Sequence, residues 1–159
     1  MKPTAYIETT IVSYLTSRLS RDLIIAAHQQ LTQEWWGDRR QEFDLYVSEL
    51  VVQEAGAGDP SEAQKRLDAL EDIPQLELSE NCRSLARELL DRHAVPAEAV
   101  EDALHIAVSA VHGMDYLLTW NCAHIANAQM REAIEGVCRA SGYEPPIICT
   151  PEELMGDKA

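Results

Sequence analysis

Residues 101 to 125, EDALHIAVSAVHGMDYLLTWNCAHI, set an acid where an apolar helix should hold none. From about Glu98 to His112 the polar residues Asp102, His105, Ser109 and His112 recur at helical spacing on one stripe, while Leu104, Ile106, Val108 and Val111 fill much of the rest. The spacing predicts a helix buried on most sides with one carboxylate on its polar edge. MDYLLT then reads as a short buried strand, and TWNCAH puts Thr119, Asn121 and His124 in the loop at its carboxyl end, where open parallel sheets hold their ligands. A carboxylate facing that loop could hold a cation, cap a helix or pair with an arginine.

The elements that must position these groups alternate along the chain. TAYI reads as a strand followed by a helix opening at ETTIVSYL, and a long amphipathic helix spans about Arg21 to Arg39, carrying Trp35 and Trp36. FDLYVS is a second strand, followed by a helix at ELVVQEAG that stops at Gly56 and Gly58. Ser61 to Asp72 is a helix, PQLELS a third strand, and Glu80 to His93 a helix that ends before Pro96. After MDYLLT come a helix from about Ala126 to Ser141, the strand PIICT and a terminal turn. In that turn Thr150, Pro151 and Glu153 form a capping-box pattern. Strands separated by helices imply a parallel sheet with helices on both faces.

One domain over residues 1–155 with a short tail at 156–159 is the natural reading of 159 residues with 46% apolar content. No apolar run approaches the roughly 20 residues that span a bilayer, and the amino terminus lacks a signal peptide's apolar region, so a cytoplasmic chain without a membrane partner is expected. The cysteines at 82, 122, 138 and 149 make no C-x-x-C pair and read as reduced structural thiols. A net charge of −14 argues against gripping nucleic acid by bulk electrostatics. A nucleic acid substrate is still compatible, because screening confines exposed charges to about 8 Å and a local cation can dominate a small site.

Glu8 directly follows the first strand, Glu54 lies in the helix after the second, and Asp102 starts the helix before the fourth. At the carboxyl edge of one parallel sheet these acids would meet. Gathered carboxylates repel and are tolerated mainly when a cation neutralises them, and oxygen ligands of this kind suit Mg or Mn. Such ions activate water for phosphodiester hydrolysis.

At these positions the chain resembles a PIN domain, close to the VapC-like toxins of type II toxin-antitoxin systems. YIETTIVSYL is similar to the family's opening strand and helix, with Glu8 at the first acidic position and Thr9 and Thr10 behind it. SELVVQE matches the second motif through Ser48 and Glu54, EDALHIAVSAVHG the third through Asp102, and LLTWNCAHI the last through Thr119 and Asn121. The resemblance implies a three-layer α/β/α sandwich with a central parallel β-sheet. It also implies an acidic pocket for Mg or Mn and metal-dependent endoribonuclease activity on RNA, with a homodimer silenced by a cognate antitoxin protein. Glu8, Glu54 and Asp102 would then be catalytic metal ligands. Thr9, Thr119, Asn121 and His124 would support them, and Arg18 and Arg21 would attract the RNA.

Two residues depart from the family pattern. Glu8 stands where Asp is usual, and His124 replaces a frequent fourth acid with an imidazole. These departures, with the acidic net charge, favour a second reading in which the fold is a catalytically weak or inactive module acting through a protein partner; the retained acids count against it. Blander roles stand beside the functional ones. Glu8 could simply serve a helix start, Glu54 could be solvated surface, and His105 and His112 read as satisfied structural histidines. Two adjacent tryptophans on one helix point about 100° apart, which predicts a symmetric dimer surface around Leu15, Leu23, Trp35 and Trp36.

Overall fold

The first strand is the hub of the sheet, because TAYI is short, β-prone and apolar enough to be covered on both faces. In the computed structural model, which describes residues 1–156, this strand (β1, Thr4–Ile7) pairs in parallel with β2 (Asp44–Ser48) on one side and β4 (Tyr116–Leu118) on the other. β3 (Gln75–Leu76) extends the β2 side and β5 (Ile147–Cys149) the β4 side, giving the order β3-β2-β1-β4-β5 with every pairing parallel. The PQLELS segment contributes only two residues to the ladder, so most of that expected strand is edge connection. Residues 157–159 of the expected tail lie outside the described residues.

Each parallel pairing requires a crossover, and the helices supply them. They are α1 (Thr9–Thr16), α2 (Leu23–Asp38), α3 (Glu49–Ala55), α4 (Pro60–Leu70), α5 (Glu80–Asp91), α6 (Val100–Val111) and α7 (Ala128–Ala140). α1 packs with α2, α3 and α4, whereas α5 packs with α6 and α7, so two helical layers enclose the sheet as an α/β/α sandwich. No helix among the described residues is long and apolar enough to cross a membrane.

Local chemistry sets the helix starts. Asp22 accepts from the backbone N–H groups of Ile24 and Ile25 to begin α2, and Asp59 caps α4 ahead of Pro60. The expected long helix thus begins two residues later than the pattern suggests. At the terminal turn, the Thr150 backbone N–H donates to Glu153 at 3.1 Å, the reciprocal contact that the sequence pattern predicts.

Trp35 overturns part of the dimer expectation. It is fully buried within one chain and tilts against Phe43 with ring centroids 5.5 Å apart, while Trp36 is half-buried under the Arg40 guanidinium. The two rings diverge as helix geometry requires, but the core and the short turn at Arg40–Glu42 accommodate them without a second copy. Cys82, Cys138 and Cys149 are buried free thiols; burial pushes Cys138 up to about 11 and Cys149 up to about 12, so these two stay protonated near neutrality.

Candidate active site

The strand order reverses at β1. The chain passes from β1 to β2 and β3 on one side, then returns to place β4 and β5 on the other. Carboxyl ends at such a switch diverge and leave a crevice, and the residues leaving β1 and β4 must line it. Ile7 lies opposite Leu118 in register, so Glu8 and Thr119 leave adjacent strands side by side, and the Glu8 backbone N–H donates to the Leu118 carbonyl at 3.1 Å.

Glu8 is buried at this point and also starts α1. Its backbone is extended, and its Oε1 accepts from the Thr10 backbone N–H at 3.2 Å, the Thr10 hydroxyl at 2.5 Å and the Thr119 hydroxyl at 2.6 Å. The carboxylate that caps α1 therefore also belongs to the group that Glu54 and His105 join at this edge. No described donor bonds to Oε2.

Glu54 enters from the second turn of α3, which directly follows β2. Its Oε1 accepts from the Thr9 hydroxyl at 2.5 Å and meets His105 Nε2 at 2.7 Å, again with no described donor on Oε2. Burial alone would raise the Glu54 carboxyl, but the hydrogen bond with His105, the attraction of that ring when it is protonated and the hydrogen bond from Thr9 together outweigh it and hold the group below the usual glutamate range. Oxygens or nitrogens of Glu8, Glu54 and His105 all lie within 4.8 Å of one another. No Lys or Arg among the described residues is ion-paired with any of these acids.

Asp102 is joined to this group through the β4 loop. Asn121 donates from Nδ2 to Asp102 Oδ1 at 3.0 Å, and His124 Nδ1 lies 2.9 Å from Oδ2. The Asn121 backbone N–H donates to the Thr119 hydroxyl at 2.9 Å, and that hydroxyl donates onward to Glu8. Thr119 and Asn121 thus connect two of the three acids. Asp102 does not cap α6, whose cap residue is Ala99, and it pairs with no arginine. His124 is not a free loop residue, because its ring is bound to Asp102 and its backbone N–H donates to Asn121 Oδ1 at 3.0 Å.

His105 has a role that sequence reasoning undervalued. It is satisfied and almost fully buried, as a structural histidine would be, yet one of its partners is Glu54 and the other is Tyr6, whose hydroxyl lies 2.8 Å from Nδ1. Its position three residues beyond Asp102 places both on one helix face, which was the available signal. Arg18 and Arg21 are exposed in the α1–α2 connection and contact none of the acids; Gln29 pins that connection through the Arg18 carbonyl and the Ser20 backbone N–H. Trp120 packs inward, stacked on His28 with centroids 4.0 Å apart and donating Nε1 to Thr32, so its face is used within the chain.

A chain in the crystal structure of VapBC2 from Rickettsia felis, bound to a DNA fragment from their promoter, aligns with a TM-score of 0.57 at 15% identity over 92% of this chain and 98% of that one. The fold is PIN-like. VapC20 of Mycobacterium tuberculosis, described as a sarcin-ricin loop cleaving toxin, aligns with a TM-score of 0.58 at 14% identity over 90% of this chain and all of the other. No protein-family model and no curated protein sequence matches the chain. The PIN-like fold is therefore visible in backbone geometry where overall sequence similarity has faded.

Proposed function

We propose that this protein is a divalent-metal-dependent endoribonuclease of the VapC-like kind, hydrolysing RNA phosphodiester bonds with Mg or Mn. The observation that carries the reading is the pair Glu8 and Glu54, each braced through Oε1 and each left with an Oε2 that no described protein donor satisfies. Two such carboxylates within one small group are costly without a cation, and the oxygen donors fit Mg or Mn. When bound, the ion supplies charge shielding at the phosphate and acidifies a water.

The chain's own residues then divide the work. Glu8 and Glu54 hold the cation. Asp102, expected as a third ligand, is not in the group whose ligand atoms lie within 4.8 Å of one another; its carboxylate, steadied by Asn121 and His124, orients the attacking water. Thr9, Thr10 and Thr119 fix the two glutamates by donating to them. Arg18 and Arg21, exposed beyond α1, supply local positive charge for an RNA strand on an otherwise acidic protein. A fluorophore-quenched RNA should be cut in MnCl2 and not in EDTA, and Asp102→Asn should remove the cutting. Asn at this position must turn an N–H toward Asn121 or His124 and gives up one charged hydrogen bond, so Asp102→Asn also lowers stability by about 1.5–3 kcal/mol, the worth of a hydrogen bond to a charged group. Undiminished cleavage by purified Asp102→Asn would take Asp102 out of the mechanism.

The partners proposed are a second copy of the chain and a cognate antitoxin. The VapBC2 assembly on its promoter DNA supports the antitoxin by analogy of fold. With Trp35 in the core, what remains exposed of the expected apolar patch is Leu23, joined by Leu19 and Ile24, each 70% exposed or more, at the α1–α2 corner. Leu15, half-buried, adjoins it. Light scattering should give a dimer mass that Leu23→Glu reduces to the monomer; a monomer mass for the unmodified protein at micromolar concentration would remove the homodimer.

A further inference from the structure

We propose that His105 is a positioning residue for this site, its Nε2 proton directed at Glu54 by a one-way hydrogen-bond chain from Ser48 through Tyr6, so that Glu54 is gripped by Oε1 and keeps Oε2 for the cation. The inference deepens the nuclease reading and rests on it for the cation.

The chain is continuous. Ser48 Oγ lies 2.7 Å from Tyr6 Oη, Tyr6 Oη 2.8 Å from His105 Nδ1, and His105 Nε2 2.7 Å from Glu54 Oε1. Ser48 and Tyr6 are fully buried and His105 nearly so. Ser48 precedes α3, yet its hydroxyl caps nothing there, which leaves Tyr6 as its partner.

Counting hydrogens decides the direction. If Ser48 donates to Tyr6, Tyr6 to Nδ1 and Nε2–H to Glu54, three hydrogens fill three contacts and none is stranded. If the ring carried both protons, Nδ1–H would occupy the Tyr6 oxygen and Tyr6 would have to donate to Ser48. The Ser48 hydrogen would then have no acceptor among the described residues, a buried donor left unsatisfied. If the single proton sat on Nδ1, a bare nitrogen would face a carboxylate oxygen at 2.7 Å, two acceptors with nothing between them. Burial keeps the Tyr6 phenol protonated and able to donate.

The grip on Glu54 is also doubled, because Thr9 donates to the same Oε1. Both donors on one oxygen fix the carboxylate's rotation and leave the other oxygen bare. Groups that orient a ligand in this way typically alter metal affinity tenfold to a hundredfold.

The test is nitrogen-15 NMR on the full chain in excess MgCl2, using long-range proton–nitrogen correlations with His105→Gln to assign the ring, together with MnCl2 calorimetry on variants. One bare and one protonated nitrogen are expected, with the proton on Nε2. Tyr6→Phe keeps the core volume but releases the tautomer, and should weaken Mn binding about tenfold or more. His105→Gln, whose amide can still donate to Glu54, should retain more affinity than His105→Leu. A proton on Nδ1, a doubly protonated ring, or unchanged Mn affinity in folded Tyr6→Phe overturns the proposal. A wild-type chain with the proton on Nε2 that binds no Mn overturns the cation reading and the positioning role with it, leaving only the direction of the chain.

Discussion

Glu8→Gln should abolish Mn binding and RNA cleavage together while the protein stays folded. The substitution preserves shape, and the amide oxygen can take the place of Oε1, accepting from the Thr10 backbone N–H, the Thr10 hydroxyl and the Thr119 hydroxyl. The start of α1 and its link to the β4 loop therefore survive. What changes is the second atom, where an NH2 donor replaces the oxygen that no described protein group satisfies, so that the negative charge is lost and a poor ligand faces the cation. Because Glu54 lies in the same small group with only His105 as an ionisable partner, removing one of two like charges should also leave the metal-free protein as stable or more so. Calorimetry should show Mn affinity falling by at least about a hundredfold, the upper end of what orienting residues alone contribute. Unchanged Mn affinity in folded Glu8→Gln would mean that Glu8 serves the helix start alone.

His124→Asp should give a protein that is less stable without metal and binds Mg more strongly. His124 Nδ1 now lies against Asp102 Oδ2, and an aspartate there sets carboxylate beside carboxylate, with Asn121 satisfying only one oxygen of Asp102. Repulsion at that distance is relieved by a cation, so destabilisation and affinity rise together, and added Mg should restore the lost stability by mass action. Melting curves of the variant with and without MgCl2 read both effects. Identical shifts for the variant and the parent protein would show that position 124 does not reach the cation.

The order of elements was legible because each carries its own period. TAYI, FDLYVS and MDYLLT are short apolar runs between helical patterns, and they became β1, β2 and β4 at the centre of the sheet. PQLELS was legible only in part, since an edge position shortens pairing to two residues and nothing local in the sequence announces an edge. The acids were legible as acids that must meet, since parallel topology brings the ends of β1, β2 and β4 to one edge. Their partners were not. That Glu8 bonds to Thr10 and Thr119, Glu54 to Thr9 and His105, and Asp102 to Asn121 and His124 depends on side-chain reach across strands, which spacing along the chain does not encode. Trp35 misled for a related reason: a helix pattern shows that adjacent rings diverge, but not that Phe43, in the connection to β2, closes over one of them.

The pairing of β1 with β4 bears on when this protein becomes able to act. The contact from Thr119 to Glu8 spans 111 residues, Tyr6 to His105 spans 99 and Glu54 to His105 spans 51. Such distant closures form late, because the loop between them must be ordered before the contact repays it. A chain still emerging from the ribosome, with β1 and β2 already outside, has its glutamates but neither the histidine that grips one nor the threonine that braces the other. Competence arrives only once the segment through Asn121 is free. A protein that cuts RNA would on this account pass through synthesis harmless to the message that encodes it, and would mature at about the moment a waiting partner could bind the finished surface.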